Sequence, residues 1–242
     1  MILIQARDVD YRCEEANLRG YLAIDENAAG LRPGVLVFHE GLGLGEFAME
    51  RARRLAGLGY VALAADMFGD RRQASNLQEV ATLVGGLRAE PEKLRARGRA
   101  ALDVLAALPQ VDAGRLAAIG FCFGGSVVLE LAREGAELKA AVSFHGVLTT
   151  KMPAQPGQMK ASVLVCTGVD DPLAPPEQVA DFENEMRTGG VKDWQVIAYG
   201  NTLHGFTNPA ADGSMMRTAM YNEQADRRSW ASMKSLFDEV LT

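Results

Sequence analysis

The sequence predicts an α/β fold, a mostly parallel sheet covered by helices on both faces, formed as a single domain over residues 1–242. Three observations point there. Short continuous apolar runs recur along the chain, as expected of strands whose two faces are both buried. Longer amphipathic stretches separate those runs, the rhythm of strand–helix–strand units. No repeat, low-complexity segment or Pro/Gly/Ser linker divides the chain.

Taken in order, residues 1–25 read as two strands of alternating polarity that form an antiparallel hairpin at one sheet edge. Parallel strands are expected at 34–38, 60–65, 116–119, 140–144, 162–166 and 194–199. Helices are expected at 46–58, 91–108, 124–134, 176–188 and 222–240, with Gly59, Gly135 and Gly189-Gly190 where helix stops belong. The connections 67–78, 145–161 and 200–221 are long, and each follows a predicted parallel strand. They should therefore gather at the strands' carboxyl ends, the edge where open α/β sheets bind ligands.

Composition excludes several classes. Hydrophobic residues make up 48% and charged residues 23%, the balance of a globular core, and no run approaches the roughly 18–20 apolar residues of a membrane span. The opening Met1-Ile2-Leu3-Ile4-Gln5-Ala6-Arg7-Asp8 lacks a basic start and a long apolar stretch, so no signal peptide is expected. A formal net charge of −6 without a Lys/Arg block argues against nucleic acid or an anionic membrane as partner. Three cysteines fit a reducing cytoplasm better than a disulfide framework. No cluster has zinc-ligand spacing and no G-x-x-x-x-G-K phosphate loop exists, so neither metal nor cofactor is expected. The run Arg51-Ala52-Arg53-Arg54 reads as a solvated helix face, Cys166 as core filling and Cys13 as an edge-strand residue without function.

The sharpest chemical signal is Gly120-Phe121-Cys122-Phe123-Gly124-Gly125, placed between a predicted strand and a helix. This is a G-x-S-x-G nucleophile elbow with sulfur in place of oxygen. A nucleophile on such a turn occupies strained backbone, and glycines two residues to either side relieve the crowding. The helix N-terminus behind it favours a thiolate and a neighbouring oxyanion.

An elbow of this kind requires an acid and then a histidine later in the chain. The strand ending at Cys166 leads into Thr167-Gly168-Val169-Asp170-Asp171-Pro172, where Asp171 takes the fourth place of G-x-x-D and is preferred to Asp170 as the acid. His204 is the only histidine beyond it, so it is the base of any triad. His39-Glu40-Gly41-Leu42-Gly43 follows the strand at 34–38, where such enzymes supply a second oxyanion donor. The expected donors are the backbone N–H groups of Gly41 and Phe123. Glu40 is unexpected there, because a carboxylate should oppose developing negative charge. His39 is read as a brace for its own loop.

These residues resemble the dienelactone hydrolase family of the α/β-hydrolase superfamily, over nearly the whole chain. The resemblance implies a cofactor-free Cys-His-Asp hydrolase of lactones or esters, acting through an acyl-thioester on a small-molecule substrate. It places Cys122 as nucleophile, His204 as base, Asp171 as orienting acid, and Gly41 and Phe123 at the oxyanion hole. It also gives Glu40 the task of holding the resting thiol, so a ready-made thiolate is not expected before substrate binds. Family arginines that hold a substrate carboxylate have no match in Gly205-Phe206-Thr207-Asn208-Pro209, leaving Arg71 or Arg72 to serve. Phe68, His145 and Phe206 join those arginines as candidate substrate contacts. A monomer or homodimer is expected. Two other readings stay open at this point: a general carboxylesterase or thioesterase of the same fold, and a silent homologue that binds a ligand or senses oxidants through Cys122.

Overall fold

The computed structural model describes residues 3–242; Met1 and Ile2, where the sequence reading began its first strand, lie outside them. The expected hairpin is β1 (Ile4–Cys13) and β2 (Ala16–Asp25), paired antiparallel over their full lengths. β2 then joins β4 (Val61–Ala65) antiparallel, and from there every pairing is parallel: β4 with β3 (Arg32–Phe38), then β5 (Val111–Phe121), β6 (Ala140–Phe144), β7 (Ser162–Gly168) and β8 (Trp194–Tyr199). The order β1-β2-β4-β3-β5-β6-β7-β8 puts β3 and β5 at the centre. The loops that follow these two strands carry the Glu40 and Cys122 motifs.

Helices cover both faces, which is why the central strands carry apolar side chains on both sides. Val35 and Val37 of β3 face α1 (Glu46–Ala56) and α6 (Glu223–Val240), while Leu36 and Phe38 face α3 (Pro91–Ala106), α4 (Phe123–Arg133) and α5 (Pro176–Thr188). Burying one such Leu or Phe side chain contributes roughly 1.5–3 kcal/mol.

Three expectations need correction. A helix, α2 (Leu77–Ala89), occupies a stretch to which no element was assigned. Its start was legible: Asn76 caps it by accepting from the Glu79 N–H at 3.0 Å, and Glu79 Oε2 reaches back to the Ser75 N–H. Gly85 and Gly86, poor helix formers, hid the rest. β5 begins five residues earlier than expected, at Val111, because a register shift at Pro33/Gly34 lets Arg32 pair with Val111. The arginine run is a solvated face only in part: Arg54 is exposed, but Arg51 is only 2% exposed, bonded to Asp226 at 3.1 Å and set over the rings of Phe47, Phe121 and Trp230. Aromatic faces and a carboxylate together replace the water this guanidinium has lost.

Candidate active site

The elbow forms as its spacing requires. Cys122 sits between β5 and α4 at φ 52, ψ −113, a conformation costly for a side chain with a Cβ. The close approach explains the flanking glycines. A Cβ at Gly120 would lie 2.0 Å from the Gly124 carbonyl oxygen, and one at Gly124 would lie 2.2 Å from that of Phe38. Any larger residue at either position would push Cys122 off its turn.

Asp171 and His204 meet by a similar device. A Cβ on Gly168 would strike the Thr202 carbonyl oxygen at 2.2 Å, so only glycine lets the turn after β7 nest against the loop after β8. His204 Nδ1 then bonds Asp171 Oδ2 at 2.8 Å with both side chains buried, and Asp171 Oδ1 accepts from the Leu173 N–H. Asp170 is exposed and only its backbone takes part, donating to Thr202 O. Of the two aspartates, Asp171 is the one whose side chain bonds His204. The His204 backbone is clamped to Thr218 and Met220, so the ring has a fixed origin.

His204 Nε2 is buried without a hydrogen-bond partner and lines the same cavity as Cys122. Burial, the largest single influence, works against charging this ring. It is outweighed by the combined pull of the nearby Cys122 and Asp171, which hold the pKa up at about 10. His204 therefore keeps its proton at neutral pH in the resting site.

The loop after β3 is set by His39, which is fully buried. Its Nδ1–H donates to Glu40 O at 2.6 Å and its Nε2 accepts from the Met67 N–H at 3.2 Å. Pinning the Glu40 carbonyl turns the Gly41 N–H to the opposite side of the same peptide plane. Among the described residues, the N–H groups of Gly41 and Phe123 are used in no backbone hydrogen bond, and both residues border the cavity. Glu40 is held by Asn208, whose Nδ2 donates to Glu40 Oε2 at 2.7 Å. Burial raises the Glu40 pKa, against the Asn208 bond and the positive charges of His204 and Arg51. A carboxyl that resists ionising opposes an oxyanion less than its formal charge suggests.

The cavity over Cys122 and His204 measures about 410 Å³, and its walls are mostly apolar: Leu42, Leu77, Val80, Val84, Leu173 and Met216 among them. None of the five residues proposed as substrate contacts lines it. Arg71 points to the hairpin, bonded to Asp8 at 2.6 Å and Gly20 O at 2.8 Å, and Arg72 is exposed outside the cavity. Phe68 stacks on Phe123, while Phe206 and His145 are buried beneath His204. The cation that does border the cavity is Arg88, from the helix that sequence reasoning missed. Arg88 and Ser126 also border an adjoining cavity of about 250 Å³. Among the described residues, no cluster of His, Cys, Asp or Glu could hold a metal ion, and no helix is long and apolar enough to cross a membrane.

A parallel sheet entered by an antiparallel hairpin, with a strained nucleophile elbow and an acid–histidine pair on successive loops, defines an α/β hydrolase. Comparison with known proteins narrows this. Residues 18–241 match the family model described as the dienelactone hydrolase family, and the chain belongs to that family. Two solved structures, one called m3DLH and one a dienelactone hydrolase-like promiscuous phosphotriesterase from metagenomic libraries, are 47% and 45% identical, with TM-scores of 0.95 and 0.94; each comparison covers 99% of both chains. A relative from Escherichia coli (strain K12), provisionally named a carboxymethylenebutenolidase, is 30% identical over 78% of this chain and 73% of its own.

Proposed function

We propose that the protein is a cysteine-dependent hydrolase of lactones or carboxylic esters in which Cys122 attacks, His204 moves the protons and Asp171 orients His204. The observation that carries this reading is the buried His204–Asp171 bond, which leaves His204 Nε2 free at the cavity that holds the elbow cysteine. The Cys122 sulfur forms a bond to the carbonyl carbon, and the carbonyl electron pair moves to oxygen, where the Gly41 and Phe123 N–H groups receive it. Collapse breaks the C–O bond. The departing alkoxide takes the proton from His204 Nε2, leaving a thioester. His204 then draws a proton from water as the water attacks, and a second collapse releases the acid and returns the thiolate.

Charge logic supports this order. The proximity of Cys122 is one reason the His204 pKa is high. Converting the sulfur to a thioester removes that influence while burial remains, so the imidazole becomes a competent base when water must be activated.

The apolar walls favour a neutral, largely hydrophobic acyl or alcohol part. The 45% identical relative is named a promiscuous phosphotriesterase, which motivates a second activity at the same site. There Cys122 would attack phosphorus, expel an aryloxide and pass the phosphoryl group to water through a cysteine S-phosphoryl intermediate. The test is turnover of a panel of lactones, aryl esters and a neutral aryl phosphotriester, before and after alkylation of the protein with iodoacetamide. Hydrolysis abolished by alkylation is expected; turnover that survives full labelling of Cys122 would refute the reading.

A further inference from the structure

We propose that His145 is a positioning residue that holds the nucleophile's backbone and the loop of the base in one frame, an inference that rests on the hydrolase reading above. The Cys122 N–H is shared between Phe144 O at 3.0 Å and His145 Nδ1 at 3.1 Å. A ring nitrogen that accepts carries no proton, so the proton of the neutral ring belongs on Nε2, which donates to Thr207 Oγ1 at 2.8 Å. Thr207 lies three residues beyond His204. Its carbonyl accepts from Arg51 at 2.6 Å, and Arg51 is in turn paired with Asp226 at 3.1 Å. One imidazole thus ties the elbow to the His204 loop, and through Arg51 to α1 and α6.

Two features show why such a tie is needed. Cys122 and His145 both adopt positive φ, 52° and 41°, although neither is glycine. Backbone held there persists only where its surroundings over-determine it. His145 is also fully buried and packs edge-on against His204 and Phe206, each with ring centroids 5.1 Å apart. A proton added at Nδ1 would confront the Cys122 N–H. The facing charges oppose it as well: burial most of all, then His204 and Arg51, push the His145 pKa well down. The ring stays neutral while its neighbour His204 gains and loses a proton.

The experiment has a kinetic arm and a spectroscopic arm. The substitution His145→Asn keeps an acceptor near the Nδ1 position, whereas His145→Gln keeps a donor near the Nε2 position. With an ester substrate, His145→Leu should lose about 30-fold or more in kcat with KM within about threefold. His145→Asn and His145→Gln each keep only one end of the tie, so each should recover only part of that loss, and Thr207→Val alone should cost about as much as His145→Asn. Thr207→Val should cost little further in the His145→Leu background. In the intact wild-type protein, nitrogen-15 spectra of the three histidines should show His145 as a neutral Nε2–H ring from about pH 6 to 9. Should His145→Leu fail to fold, the Asn, Gln and Thr207→Val variants and the spectra decide alone. Wild-type turnover with an unimpaired His145→Leu, with an unimpaired His145→Asn or His145→Gln, or with a charged or Nδ1–H His145 would overturn the proposal. Absence of any wild-type ester turnover would instead be a failure of the hydrolase reading.

Discussion

Asn208 Nδ2 donates a 2.7 Å hydrogen bond to Glu40 Oε2, so the loop that carries His204 also holds the carboxyl group next to the Gly41 amide. The resemblance had given Glu40 the resting thiol as its partner; here its side chain is engaged by Asn208. Asn208→Ala and Glu40→Gln should each lower kcat/KM by about tenfold, and the double variant should be little worse than the poorer single, because both remove one interaction. Multiplicative losses would show that the two residues act independently.

Asp171, and not its neighbour, should support catalysis. Loss of the orienting carboxylate in comparable triads costs up to ~10⁴ in turnover. Asp171→Asn should approach that loss, while Asp170→Asn, altered only at an exposed side chain, should stay within about threefold of wild type. Steady-state kinetics of the two purified variants rank them, and the opposite ranking would reverse the assignment.

The proton held on His204, whose pKa is raised to about 10, has a consequence in pH. The folded-state pKa lies above the ordinary value of 6.5, so the pair's stabilisation is complete below 6.5 and is lost as pH rises towards 10. The melting-temperature advantage over His204→Gln should shrink across that window.

Arg88, rather than Arg71 or Arg72, should govern any response to a substrate carboxylate. It borders the cavity over Cys122 and His204 and is bonded only weakly, to Thr149 Oγ1 at 3.4 Å, whereas Arg71 is committed to Asp8. Arg88→Ala should reduce kcat/KM for a carboxylate-bearing lactone by about tenfold and leave a neutral aryl ester within about twofold. Arg71→Ala should leave the ratio of the two unchanged. A ratio that follows Arg71 would return the anion contact to the loop after β4.

What the sequence disclosed and what it hid follow from how each constraint is written into the chain. The elbow and G-x-x-D were legible because close backbone approaches leave glycines in the sequence: a Cβ at Gly120, Gly124 or Gly168 would meet a backbone oxygen near 2 Å. His204 was legible as the only histidine beyond Asp171. The sheet was legible for a related reason, since its central strands are apolar on both faces. The cavity walls were not. Arg88 and Val84 come from a helix masked by two glycines, and Arg71 is drawn away by Asp8, 63 residues earlier in the chain. Phe68, Phe206 and His145 stand beside the motifs in sequence, yet packing turns them beneath the site. Side-chain direction at a loop is set by tertiary partners, which one sequence does not name.

The most direct measurement is mass spectrometry of the protein quenched during turnover of a slow ester. The account predicts a mass increase equal to the acyl group, on the peptide containing Cys122, cleaved by hydroxylamine and absent from Cys122→Ala, which should also lack turnover. Acyl mass on another residue, or undiminished hydrolysis by Cys122→Ala, would contradict it.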